Sequence, residues 1–247
     1  MEKVKFDFTA YNNPKSPISE AYRTVRTNIS FATVDKSIKK ILITSAISHE
    51  GKTTVSINLA IVLAQAGHRV ILVGCDLRNP SIAHHLGVSN QRGLTTLLTT
   101  GGNYKDYVKS VEGLPLDCLT SGLVPPNPSE LLISQKFANL VRQLEQDYDY
   151  VLLDTPPVMP VTDAAAISHL VDGVIFVVKS EGVAPQIAKT ALFRLQQADA
   201  KILGCVLNQV KIEHKKAYGY GKHYGYGYGY YHYYGRYGEP RHMRKKG

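Results

Sequence analysis

The sequence predicts an α/β protein, a doubly wound and mainly parallel sheet with a disordered C-terminal tail. Three observations carry this. Short Val/Ile/Leu runs alternate with helical segments from residue 40 to residue 207, the pattern of a parallel sheet buried on both faces. One of these runs leads into a glycine-containing loop and then an apolar helix. Finally, ten of the sixteen tyrosines lie between Tyr218 and Tyr237, alternating with glycine. Such a stretch has no apolar face, and glycine has the largest backbone entropy to lose on ordering.

The elements follow in order. Residues 1–16 read as irregular. Ser16-Pro17-Ile18-Ser19-Glu20 opens a helix, with Ala21, Val25 and Ile29 (or Asn28) at helical spacing and Arg23 and Arg26 beside them. Lys40–Ser45 reads as the first strand. Residues 54–66 are apolar nearly all round, a buried helix ended by Gly67. Residues 69–73 form a second strand and 116–119 a weaker third. Residues 129–146 read as one amphipathic helix with Ile133, Phe137, Leu140, Val141 and Leu144 on one face. Its Ser129 start gives only a partial capping signal, because Leu132 stands where a capping box has Glu or Gln. Strands at 150–153, 173–178 and 201–207 follow, with helices near 164–170 and at Pro185–Gln197. Right-handed crossovers wind such a sheet doubly, and ligands then sit at the carboxyl ends of the strands. The chain thus divides into 1–16, a domain at 17–213 and a tail at 214–247.

Composition narrows the class. The 247 residues carry a formal charge of +9. From His214 onward eight Lys or Arg face one Glu, so the tail alone holds +7. A solubilising tail, attraction to anionic lipid and attraction to nucleic acid are all open on charge alone. No stretch reaches the roughly 18 apolar residues of a membrane span, and the N-terminus has no signal-peptide core, so a cytoplasmic protein is expected. Cys75, Cys118 and Cys205 all lie in apolar runs, and an odd count without metal spacing reads as reduced core thiols. The nine histidines show no metal spacing, and the adjacent His84 and His85 would point different ways on a helix.

Three constellations carry chemistry. Ala46-Ile47-Ser48-His49-Glu50-Gly51-Lys52-Thr53 fits a phosphate-binding loop in all but its first residue, which is Ala in place of Gly. Its backbone N–H groups would curl around phosphates, Gly51 would allow close approach, and the following helix would add its N-terminal dipole. Lys52 could bridge the β- and γ-phosphates, Thr53 could ligate magnesium, and Thr54 could donate to the α-phosphate. Val151-Leu152-Leu153-Asp154 ends a buried strand in a carboxylate, placed to hold magnesium directly or through water. Val70 to Pro80 ends another strand near Asp76, which could hold magnesium through water or accept a proton. A turn or cap Asp is the plainer alternative for both.

Together with Leu153-Asp154-Thr155-Pro156-Pro157, the Asp76-Leu77-Arg78-Asn79-Pro80 turn resembles the bacterial tyrosine kinases of capsular and exopolysaccharide synthesis. These are P-loop proteins of the MinD/ParA-like class. The resemblance extends to Glu20-Ala21-Tyr22-Arg23-Thr24-Val25-Arg26, to the segment from Ser121 to Leu132 and to the tyrosine-rich terminus, so it spans nearly the whole chain. It implies an ATP- and Mg2+-dependent protein-tyrosine kinase with Lys52, Asp76 and Asp154 as its catalytic residues. The phosphoacceptors would be Tyr218, Tyr220, Tyr224, Tyr226, Tyr228, Tyr230, Tyr231, Tyr233, Tyr234 and Tyr237 of a neighbouring copy. Glu20, Arg23 and Arg26 would build a ring of subunits; simple i,i+3 surface pairing is the plainer reading of them. The resemblance further implies a separate transmembrane activator of the polysaccharide co-polymerase type. It also implies an opposing tyrosine phosphatase, recruitment to the inner face of the membrane, and no nucleic-acid partner. Asn208 stands where related nucleotidases read the base with an amide, or is a strand-end turn residue.

Two positions depart from the family pattern. Gly74 replaces an acidic residue two before Asp76, one tied in the family to magnesium and to deprotonating the incoming tyrosine. Ser48-His49 replaces a frequent Pro-Gly. Three rivals follow: a catalytically weak, ATP-dependent assembly switch, a partitioning-type ATPase, and a scaffold whose Tyr, Gly and Arg stack on nucleic acid.

Overall fold

The computed structural model describes residues 8–32 and 37–211. The tyrosines from Tyr218 to Tyr237, and with them the tail, lie outside the described residues. A seven-stranded sheet forms the centre: β1 (Lys40–Ser45), β2 (Val70–Gly74), β3 (Lys109–Ser110), β4 (Asp117–Leu119), β5 (Tyr150–Asp154), β6 (Gly173–Lys179) and β7 (Ile202–Asn208). Their spatial order is β3-β4-β2-β5-β1-β6-β7. Every pairing is parallel except β3 with β4 at one border.

Alternate strand residues feed two cores. Leu42, Ile71, Leu153 and Phe176 point to one face, where they meet Phe137, Leu140 and Leu144 of α7 (Gln135–Asp147) and Leu195 of α9 (Pro185–Gln197). Ile41, Ile43, Leu72 and Val177 point to the other, against α3 (Lys52–Ala64), α2 (Pro17–Phe31) and α1 (Thr9–Asn12). α3 is the most deeply set helix. Ile57, Leu59, Ile61 and Leu63 are fully buried, each stabilising the fold by about 1.5–3 kcal/mol.

The structure revises several sequence expectations. The stretch read as irregular contains the one-turn helix α1. α2 begins as expected, with Ser16 as N-cap accepting from the Ser19 amide at 3.1 Å and Pro17 in its first turn. Its fully buried residues are Ser19, Tyr22 and Ile29; Val25 packs half-buried against the same core, and Ala21 is half-buried. α3 starts at Lys52, two residues before the expected 54. Two short helices had no counterpart in the sequence expectation, α4 (Ile82–Leu86) and α5 (Leu94–Thr100); α6 (Pro128–Leu132) is a third short one. The single helix expected at 129–146 is two, α6 and α7. Between them Ser134 caps α7, accepting from the Phe137 amide at 3.2 Å and donating to the Leu131 carbonyl at 2.7 Å. Ile133, placed on the buried face by periodicity, is 60% exposed at this break. The helix near 164–170 is α8 (Asp163–Ile167) followed by a 3-10 turn.

The sheet is covered on both faces only at its centre. β7 is a border strand whose Gly204, Cys205 and Leu207 are exposed. Cys75 and Cys118 are buried as expected, but Cys205 is exposed. Among the described residues no helix is long and apolar enough to cross a membrane. An open cleft at the amino ends of the strands, lined in part by Arg69, Tyr104, Asp117 and Tyr148, carries phenol–carboxylate bonds from Tyr104 to Asp147 and from Tyr148 to Asp117.

Two measurements check this description. Ser134→Ala should lower unfolding free energy by about 1 kcal/mol in urea titration. Of the three thiols, only Cys205 should react rapidly with a maleimide on the native protein, with Cys75 and Cys118 reacting after denaturation; equal labelling of all three would contradict the burial.

Candidate active site

The register of the central strands builds the site. Asp154, the last residue of β5, pairs with Ile43 of β1 on one side and Gly74 of β2 on the other. The loop that follows β1 and the turn that follows β2 therefore flank the Asp154 carboxylate, at the carboxyl ends where a doubly wound sheet binds ligands.

The phosphate loop runs from Ala46 into α3. Gly51 has φ +86°, a left-handed conformation that glycine adopts freely. A Cβ there would also lie 2.1 Å from Asn208 Nδ2, so a side chain would displace the Asn208 amide. His49 occupies the left-handed region too, at φ +65°, which suits glycine better than the imidazole-bearing residue present. Ser48 and His49 are exposed at the mouth of the loop. Glu50 is buried and fastens the loop from inside. Its carboxylate accepts from the Ile47 amide at 2.9 Å and from the Lys179 amide of β6 at 3.2 Å. Asn208 Nδ2, at the end of β7, donates to the Glu50 carbonyl at 3.0 Å. One residue thus ties the loop to two strands.

Lys52 and Thr53 open α3 from this loop. Lys52 Nζ pairs with Asp76 Oδ2 at 3.1 Å. Thr53 Oγ1 donates to Asp154 Oδ2 at 2.7 Å and lies 3.0 Å from Ser81 Oγ. Ser56, one turn along α3, sets its hydroxyl 3.2 Å from Asp154 Oδ1. Thr54 is half-buried beside them. Burial pushes the Asp154 carboxyl above the ordinary carboxylate range, against the opposing pull of Lys52 and of the Thr53 and Ser56 hydroxyls. The neighbouring Cys75 thiol is raised well above its usual value by burial and by Asp154 and Asp76, so it is inert.

Asp76 is almost fully buried, and its Oδ1 accepts from the Asn79 amide at 2.9 Å. Ser121 Oγ donates to the Gly74 carbonyl at 2.9 Å. It stands where a side chain at 74 would begin, because a Cβ there would lie 2.6 Å from Ser121 Oγ.

The sequence-chosen residues of the loop, together with Asp76, Asp154 and Asn208, thus lie together at one end of the sheet. Glu20, Arg23 and Arg26 lie apart on α2. Arg23 pairs with Glu20 and donates to the Pro14 carbonyl at 2.6 Å, while Arg26 donates to the Val62 carbonyl near the end of α3 at 2.9 Å. His85 is tied to the Ser81 carbonyl at 2.8 Å. Ser56, Ser81 and Lys179 escaped the sequence reading, as did the contact of Ser121 with Gly74. Ser56 alone had a signal, lying four residues after Lys52 on the same helical face.

This donor set fits a magnesium–nucleotide complex. A hydroxyl on a buried carboxylate, a second carboxylate holding the loop lysine, and a loop with two left-handed residues are what phosphate and a hard cation need. Among the described residues no three His, Cys, Asp or Glu side chains gather into a metal site.

Comparison with known proteins agrees. A family model described as an AAA domain matches residues 38–202. The tyrosine-protein kinase YwqD of Bacillus subtilis (strain 168) is 40% identical over 218 residues, 88% of this chain and 92% of that protein. The crystal structure of the chimerical protein CapA2B2 superposes with a TM-score of 0.79 at 42% identity, covering 82% of this chain and 89% of that one. The septum site-determining protein MinD of Pyrococcus horikoshii OT3, solved with Mg-ADP, superposes with a TM-score of 0.59 at 25% identity, covering 68% and 69%. The fold is therefore that of the MinD-like P-loop proteins, which implies nucleotide binding, and the chain belongs to the bacterial tyrosine-protein kinases.

Proposed function

We propose that this kinase transfers the γ-phosphoryl group of ATP, with Mg2+, to tyrosines between Tyr218 and Tyr237 of a neighbouring copy, in the service of capsular or exopolysaccharide synthesis. The observation that carries this reading is the pair of contacts Lys52–Asp76 and Thr53–Asp154 at the end of the phosphate loop. Both loop residues that would serve a nucleotide are held by acidic partners that would serve a cation and a proton.

Lys52 Nζ is the mobile charge. Bound to Asp76 here, it would turn to the β- and γ-phosphate oxygens, and Asp76 Oδ2 would lose its cation. That carboxylate is then free to take the proton of an incoming phenol as its oxygen attacks phosphorus and the bond to ADP breaks. Thr53 and Asp154 would hold Mg2+, which when bound neutralises charge on the phosphate oxygens. The backbone of 47–51 needs little rearrangement, because Glu50 and Asn208 already set its curl. With Gly74 in place of the family's acid, Asp76 carries the proton-accepting role alone. That same glycine supports the second reading, an ATP-dependent assembly switch with weak catalysis.

A ring of subunits through Glu20, Arg23 and Arg26 follows the family pattern; the three are half-buried on α2, so in the ring they would exchange the contacts to Pro14 and Val62 for contacts to a neighbouring copy. A transmembrane activator of the co-polymerase type would bring the ring to the inner face of the membrane, and a tyrosine phosphatase would reset it. Each phosphotyrosine adds roughly −1.5 to −2 charge, so about four would offset the tail's +7.

With ATP, Mg2+ and the activator's cytoplasmic segment, mass spectrometry should locate phosphotyrosine in the tail. Lys52→Met should reduce the rate by about 10²–10³-fold in protein whose circular dichroism shows the fold retained. ATP binding without any phosphotyrosine would favour the switch reading. In light scattering, the oligomer should be smaller with the tail fully phosphorylated than unmodified; equal sizes would refute charge-driven disassembly.

A further inference from the structure

Arg78, Ser129 and Asp163 close a ring of hydrogen bonds beside the site. Arg78 Nε donates to Asp163 Oδ2 at 2.9 Å, and Nη2 lies 3.2 Å from Oδ1. Nη2 also donates to Ser129 Oγ at 2.7 Å, and that hydroxyl donates on to Asp163 Oδ1 at 2.7 Å. The Asp163 side chain is 0% exposed and that of Arg78 is 39% exposed. The three groups come from three separate segments: the turn after β2, the start of α6 and the start of α8.

Their placement along the chain gives the ring its significance. Arg78 lies two residues past Asp76, and the turn is already locked by the Asn79 amide on Asp76 Oδ1. Asp163 ends the segment that leaves Asp154. The ring therefore ties the turn carrying one site carboxylate to the segment leaving the other. A two-pronged guanidinium fixes direction as well as distance, which a lysine ammonium on a flexible stem does not. A buried ion pair adds little net stability over an apolar pair of the same volume, so stability alone does not call for an arginine, a hydroxyl and a carboxylate closed on one another. The Arg78 guanidinium is thus taken up by Asp163 and Ser129.

We propose that Arg78, Ser129 and Asp163 form a brace that sets the separation of Asp76 from Asp154, and that Arg78 is a positioning residue for the magnesium–nucleotide complex. This rests on the reading of those two carboxylates as the groups that serve the cation and the phenol proton.

The test compares Arg78→Lys and Ser129→Ala with the parent full chain. Three quantities are read: binding of a fluorescent ATP analogue in EDTA and across a Mg2+ titration, kcat and KM for tail phosphorylation, and melting temperature. Arg78→Lys should raise the Mg2+ concentration for half-maximal nucleotide binding severalfold and lower kcat about tenfold, a loss of about 1.4 kcal/mol of transition-state stabilisation. Binding in EDTA should stay within twofold. Ser129→Ala should move the same quantities less, and the double variant should fall short of the product of the two, because both act through one ring. Unchanged Mg2+ dependence and kcat in Arg78→Lys would overturn the proposal. So would a parallel loss of EDTA binding and melting temperature, which marks a purely structural tie. Should Arg78→Lys not fold, Ser129→Ala, which leaves the ion pair in place, decides by the same readings. If the parent forms no phosphotyrosine, the kinase reading fails on its own and the Mg2+ titration still decides the brace.

Discussion

A carboxylate taken out of water costs several kcal/mol unless hydrogen bonds or cations meet it, and Asp154 is 1% exposed at the end of the central strand β5. Its partners are hydroxyls from α3, Thr53 and Ser56. This requirement fixes where α3 must start. The helix has to leave the β1 loop directly above β5, which is possible because β5 pairs with β1 and β2 at once. The curl of the loop at Gly51 and the burial of nearly every later α3 residue follow from that one placement. So does the proximity of Lys52 to Asp76, since β2 is the other neighbour of β5.

Much of this was legible in the residues. Continuous apolar runs located β1, β2, β5, β6 and β7 to within a residue or two, because buried parallel strands admit little else. The loop from Ala46 to Thr53, Asp76, Asp154 and Asn208 were chosen by residue type and by position at strand ends, and the fold brings them together. What stayed hidden lacks a periodic signature. α6 and α7 share one apolar face in sequence, so only the hydroxyl of Ser134 marks the break between them, and serine is too common to announce itself. α5, Leu94-Thr95-Thr96-Leu97-Leu98-Thr99-Thr100, does carry leucines at helical spacing, but four threonines in seven residues weaken the signal. β7 reads as buried because its residues are apolar, yet among the described residues no strand lies beyond it. The Arg78–Asp163 contact spans 85 positions, and no local pattern predicts a partner at that distance.

The loop itself combines strain and restraint. His49 sits in a left-handed conformation that costs a non-glycine residue on the order of 1 kcal/mol or more. Glu50, next in sequence, supplies two hydrogen bonds that hold the curl against this cost. A buried acid beside a phosphate site would oppose an anionic ligand by charge alone, so its retention is explained by the two backbone donors it satisfies.

β7 has a further consequence for behaviour in solution. Its outer edge is unpaired among the described residues, and Ile-Leu-Gly-Cys-Val-Leu-Asn contains no charged side chain to blunt it. Sheet borders left like this are templates for backbone pairing between molecules. The counter-charge arrives only afterwards in sequence, in Lys211 and the eight basic residues beyond His214. Colloidal stability is therefore lodged in the tail while adhesiveness is lodged in the domain. Screening of that charge by high salt would be felt first as self-adhesion along this border.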